Sequence, residues 1–239
     1  MSVTVKTYDT PPVSGVVLGF NSTSTAPETF WAGIDAFHAF APTLADAGIF
    51  GYYEVTSASF LAKPLLAPGM SRAKLAALTA PLLSWLDALG VAYTANTSSH
   101  RTFLDGYRAL FDGESAGVNM LMSSRLIQRR HVVANASAVT AAFRLAADSG
   151  QQIIGHLIAP GNAGGVGADT SVNPVWRDGL LLPLYLHFWT GAETEAQKLA
   201  GIDRMLNVVD RAFKDASPGS GTYLNEVLSL RPRAIWGGG

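Results

Sequence analysis

The sequence predicts an α+β fold, a largely antiparallel sheet with helices covering one face. Segments of alternating, β-branched or aromatic residues recur along the chain, and short turns marked by Pro or Gly join several of them. Segments with a helical apolar stripe are interspersed irregularly, whereas strict strand–helix alternation would indicate a parallel sheet.

Residues 3–8 and 15–20 alternate around Pro11-Pro12 and read as strand, turn, strand. From Phe30 a helical stripe runs through Ile34, Phe37 and Leu44, with Pro27 and Glu28 near its start and Gly48 beyond its end. Residues 50–56 and 58–66 read as strands ahead of a Pro68-Gly69 turn. Ser71 suits an N-cap, and Leu75, Leu78, Leu82, Leu86 and Leu89 mark one face of the next helix, which Pro81 should kink or divide. A strand near residues 91–95 precedes a helix packing through Phe103, Tyr107, Leu110 and Phe111. An alternation at 118–126, a helix lined by Val139, Ala142, Phe143 and Ala146, and a strand at 152–158 follow. Beyond a glycine-rich loop come a long strand at 180–188 and a helix with Leu199, Ile202, Leu206, Val209 and Phe213 on one face. The last element is an extended segment at 222–225.

With 48% hydrophobic and 15% charged residues, 239 residues can bury a sizeable core, which excludes disorder. Seventeen Lys and Arg against 18 Asp and Glu give a net charge of -1, so no field favours nucleic acid or an anionic membrane. A small, neutral, apolar molecule is the expected partner. No apolar run reaches the ~18 residues of a membrane span, and nothing in residues 1–11 assigns a compartment. The absence of cysteine excludes disulfides, thiolate nucleophiles and a cysteinyl-flavin bond within this chain.

Chemistry centres on the strand at 180–188. Leu181, Pro183, Tyr185, His187 and Trp189 share one face, and Leu182, Leu184, Leu186 and Phe188 the other. The purely apolar set should lie under the helices, leaving Tyr185 and His187 on the open face as candidate catalytic residues able to relay a proton. The alternative is that both hydrogen-bond within an interface. Trp189 extends that face. Glu54 alternates with Phe50 and Tyr52, so Tyr52 and Glu54 are further substrate-binding candidates, with Glu54 either a base in an aromatic cavity or a solvated rim residue. The five histidines show no metal-ligand spacing, so no metal is expected. Residues 161–167, GNAGGVG, lack the Lys-Ser/Thr of a phosphate loop, and GxSxG is absent.

Several segments in order resemble one family. SVTVKTYDTPPV, LTAPLLSWLDALG, MSSRLIQRR, SVNPVWRDG (171–179) and SGTYLNEV (220–227) are similar to the substrate domain of fungal berberine-bridge-enzyme-like FAD-linked oxidoreductases, in the vanillyl-alcohol-oxidase superfamily. Gln128 departs from the family's usual proline, and the pattern is lost after about residue 227. The resemblance implies a complete enzyme about twice this length, with an N-terminal flavin domain. Residues 1–12 then correspond to the last flavin-domain strand and 13–239 to the substrate-binding domain. It further implies FAD once a flavin domain is supplied and none on the isolated chain, and hydride transfer from a small organic molecule, a fungal secondary metabolite, with oxygen as acceptor. By the same resemblance Tyr185 lies near a catalytic position and Asn225 approaches the flavin. The implied partner is a flavin-domain chain or a second copy. A cofactor-free binding module or cyclisation catalyst and a nonfunctional gene fragment are the rival expectations.

Overall fold

The computed structural model describes residues 2–6, 10–111, 118–158 and 171–226. The elements are β1 (Val13–Asn21), α1 (Pro27–Asp46), β2 (Phe50–Val55), β3 (Ser59–Pro68), α2 (Arg72–Leu89), β4 (Tyr93–His100), α3 (Phe103–Leu110), β5 (Met120–Ser124), β6 (Ile127–Gln128), α4 (Arg129–Asp148), β7 (Gln152–Leu157), β8 (Gly179–Phe188), α5 (Glu195–Arg204) and α6 (Asp210–Ala216). All the strand pairs are antiparallel, in the order β4-β1-β3-β2-β7-β8-β5 with β6 also on β8, which is the expected α+β architecture.

Local chemistry sets the boundaries. Pro27 opens α1, where its missing N–H has no intrahelical partner to lose. Ser71 Oγ accepts from the Lys74 N–H at 3.2 Å at the start of α2, and Gly90 ends it at φ +74, a conformation that a Cβ would disfavour. α2 runs unbroken through Pro81, contrary to expectation. Pro81 and Ala77 are both exposed, so the carbonyl deprived of its bond meets water. The kink lies instead in α4 at Asn135 (φ -163, ψ 81), whose side chain accepts from the Ala138 N–H at 3.0 Å and restarts the helix. α5 and α6 are joined by a π turn at Met205–Val209.

Residues 2–6 form no strand, with Val3 and Val5 exposed. Residues 7–8 of that expected strand, and the glycine-rich loop at 161–167, lie outside the described residues. In place of the extended segment at 222–225 the chain makes a 3-10 turn at Leu224–Glu226.

The main core lies between the sheet and α1, α2, α4 and α6, where Phe30, Phe37, Phe143 and Phe213 meet Phe20, Tyr53, Phe60 and Tyr185. A polar chain crosses it: Tyr53 O–H donates to His38 Nε2 (3.2 Å), His38 Nδ1–H to Thr140 Oγ1 (2.9 Å), and Thr140 to Asp35 Oδ1 (3.0 Å). Burial pushes the His38 imidazole down to about 3, so it stays neutral and this tautomer satisfies both ring nitrogens. Gly155 pairs with Tyr53, and a Cβ on it would lie 2.1 Å from the phenol ring.

Helices do not cover one face alone. α3 packs on the opposite face through Leu110 against Val13 and Leu66, in a close approach that Gly106 and Gly15 permit. Where α3 ends, that second face opens.

Candidate functional site

β8 is buried on both faces, and the side reading of its residues is reversed from expectation. Leu181 and Tyr185 enter the main core beneath the helices, whereas Leu182, Leu184 and Leu186 lie opposite, with Met120, Met122, Ile154, Val175, Trp176 and Tyr223. The physical reason is a buried partner. Tyr185 O–H donates to Asp210 Oδ1 of α6, Ser123 Oγ donates to the same oxygen at 3.2 Å, and the Tyr185 ring stacks on Phe213 at 4.7 Å and 4°. Asp210 is 1% exposed and Tyr185 fully buried, so each answers the polarity of the other. His187 pairs with Leu121, which also lies under the helices, and its ring meets Gly201 of α5; Trp189 stands edge-on beside it at 6.2 Å. Tyr185, His187 and Trp189 therefore gather on the helix side, not on the open face.

The open face is built by β2 and β7. Tyr52 pairs with His156 and Glu54 with Ile154, which brings their side chains to one side of the sheet. The Tyr52 ring stands edge-on to His156 (4.5 Å, 70°) and to Phe111 (5.6 Å, 80°). His156 Nδ1 donates to the carbonyl of Leu182 at 2.9 Å; a carbonyl only accepts, so in the neutral ring the proton sits on Nδ1 and the lone pair on Nε2. Here a cleft of about 360 Å³ is lined by Phe50, Gly51, Tyr52, His156, Leu157, Ile158 and Trp176. None of these carries a formal charge.

Glu54 shares the face but not the cavity. It is exposed and accepts from Gln152 Nε2 at 3.0 Å, a rim position in which its carboxylate keeps water. Asn225 is also exposed, its Nδ2 donating to the Tyr223 hydroxyl at 2.8 Å; Tyr223 stands edge-on to Trp176 at 5.4 Å, so the turn carrying Asn225 adjoins the cleft. Burial raises the carboxyl of Glu226 above its ordinary range. Among the described residues, no three His, Asp or Glu side chains gather as metal ligands, and no helix is long and apolar enough to cross a membrane.

The structure thus joins Tyr52 to two residues that sequence reasoning passed over, His156 and Trp176. The signals were present: His156 alternates with Ile154 on β7, and Trp176 sits in SVNPVWRDG.

No family model matches the chain. It is 30% identical over 96% of its length to the FAD-linked oxidoreductase orf1 of Neocamarosporium betae and 28% identical over 97% to the FAD-linked oxidoreductase patO of Aspergillus clavatus. It is 26% identical over 95% to the bifunctional decalin synthase calF of Penicillium decumbens. The chain spans 40%, 41% and 40% of those proteins. Its fold matches the VAO-type flavoprotein MtVAO713 of Myceliophthora thermophila with a TM-score of 0.84 at 17% identity, over 95% of this chain and 44% of that one. A BBE-like protein of Physcomitrella patens matches at 0.61 and 13%, over 96% and 49%. Along nearly its whole length, then, the chain is similar to about two-fifths of fungal FAD-linked oxidoreductases, and it shares the fold of the matching part of VAO-type and berberine-bridge-enzyme-like flavoproteins.

Proposed function

We propose that this chain is the substrate-binding portion of an FAD-linked oxidoreductase that acts on a small organic molecule, a fungal secondary metabolite. The observation that supports this most directly is the cleft on the face of the sheet that α1, α2, α4 and α6 leave open, whose described lining is aromatic and aliphatic around His156. FAD, when bound together with a flavin domain, supplies the hydride acceptor, with oxygen restoring it. The donor set beside the cleft fits a flat ring system, since Trp176, Tyr223 and Asn225 offer an indole, a phenol and an amide. In this reading Asn225 lies toward the flavin, Tyr52 and Trp176 wall the substrate, and Glu54 marks its solvent side. Tyr185, anchored to Asp210, and His187, against α5, hold β8 in place rather than touch substrate.

The test is fusion of this chain to the remaining portion of the Aspergillus clavatus relative. A yellow, stoichiometric flavoprotein that fungal metabolite fractions bleach without oxygen, and that forms peroxide when air returns, is the expected result. A folded fusion that retains no flavin overturns the reading. Similarity to a decalin synthase favours a second one, in which the cleft holds a reactive intermediate in one conformation for cyclisation without a cofactor. Turnover by the colourless chain alone would support it.

A further inference from the structure

We propose that Trp189, His187 and Lys198 form a second binding site, beneath α5 and across the sheet from the cleft, which takes the carboxylate of a small molecule.

The site starts from a buried donor. Trp189 follows β8, and its backbone N–H donates to the Asn119 carbonyl at 2.9 Å, which fixes the residue beside the start of β5. Its indole Nε1–H is covered from water and meets no acceptor among the described residues. An indole nitrogen only donates, so the group that satisfies it must accept. Nearly all buried donors in folded proteins have such a partner.

The roof over this donor carries charge inward. The stripe of α5 that turns to the sheet is Lys198, Gly201 and Ile202, at helical spacing, whereas Leu199 is 58% exposed. Apolar burial alone would turn the leucine in and the lysine out. Lys198 is instead half-buried, with its ammonium 5.8 Å from the centre of the Trp189 ring. Among the described residues no carboxylate pairs with it. The carboxylate of Glu193 accepts from the N–H groups of Thr190 and Gly191 and from the Thr190 hydroxyl, and Glu195 is exposed.

Gly201 brings the groups together. A Cβ on it would lie 3.3 Å from His187 Nε2 and 3.7 Å from Trp189 Nε1, so both nitrogens converge on the inward position of α5 that has no side chain. An N–H, an ammonium, and an imidazole that donates when Nε2 holds its proton then border one spot. Such a set selects an oxyanion. The two oxygens of a carboxylate divide between the N–H and the ammonium in charge-assisted bonds, while a neutral carbonyl forgoes the attraction of Lys198. Phosphate, more highly charged, needs more donors than these to give up its water. The roof also lifts readily: α5 has no buried residue of its own and continues into the π turn at Met205–Val209.

The experiment follows the indole N–H resonances of the purified chain by NMR, at constant ionic strength, during titration with acetate, acetamide and inorganic phosphate. The Trp189 signal is the one lost in Trp189→Phe, or, if that variant does not fold, the one with a nuclear Overhauser contact to the His187 ring. Acetate is expected to move it saturably, and acetamide and phosphate to bind at least tenfold more weakly. Lys198→Gln should weaken acetate about tenfold, as loss of one charge-assisted hydrogen bond allows, and Lys198→Arg should restore it. An unmoved Trp189 resonance, an equal response to acetamide, tighter binding of phosphate, or full affinity in Lys198→Gln would each overturn the proposal.

Discussion

Replacing Tyr185 by Phe separates a structural from a catalytic role for that residue. The substitution keeps the ring, stacked on Phe213 at 4.7 Å, and removes the one O–H that Tyr185 donates to Asp210. Asp210 is 1% exposed, so water does not replace the lost donor, and Ser123 at 3.2 Å is left to satisfy the same oxygen. Hydrogen bonds to charged groups contribute about 1.5–3 kcal/mol, so the expected loss is about 2 kcal/mol, a shift of roughly 4–8 °C in melting temperature for a domain of this size. Urea melts of the wild type, Tyr185→Phe, Asp210→Asn and the double mutant measure it, and the cycle should show that the two losses are not additive. A stability loss below about 0.5 kcal/mol would refute the placement of Tyr185 beneath the helices.

Three further outcomes follow from the same core. Gly155→Ala puts a Cβ 2.1 Å from the Tyr53 ring and should destabilise by about 1–3 kcal/mol or more, read from denaturant melts. Leu184→Ala, at a site 6% exposed among Leu126, Leu182 and Leu186, should cost about 2–4 kcal/mol in the same assay. His38 is held neutral in the fold, down to about 3 against 6.5 unfolded, so below pH 6.5 the unfolded chain binds a proton that the folded one refuses. Stability should therefore fall as pH drops from 6.5 toward 3, by about 1.4 kcal/mol per unit at most, and His38→Phe should flatten that slope in melts at pH 6.5 and 5.

The elements were legible because their punctuation is local. Pro27, Ser71, Gly90 and the Pro68-Gly69 turn act within one turn of their own positions, and the strands and helices they bound lie within a few residues of expectation. The strand expected at residues 3–8 shows where local pattern stops being enough. Alternation makes a strand only beside a partner, and Val3 and Val5 have none in the described residues.

The side on which a residue of β8 lies was not legible for a deeper reason. A strand with one wet face announces its orientation by polarity, but β8 is buried on both faces along Gly179–Leu186, so the hydroxyl of Tyr185 marks a partner and not an exposure. That partner was visible elsewhere. Asp210 interrupts the stripe of Met205, Val209 and Phe213 on the helix that covers the sheet, and an acid within an apolar helical face needs a donor opposite it. Matching the one buried acid of the helix to the one phenol of the strand assigns Leu182, Leu184 and Leu186 to the far face. The same alternation carried across the β7–β8 pairing puts His156 beside them, with the Leu182 carbonyl as its anchor. The arrangement of the cleft thus follows from where a buried carboxylate on another element had to find its hydrogen bond.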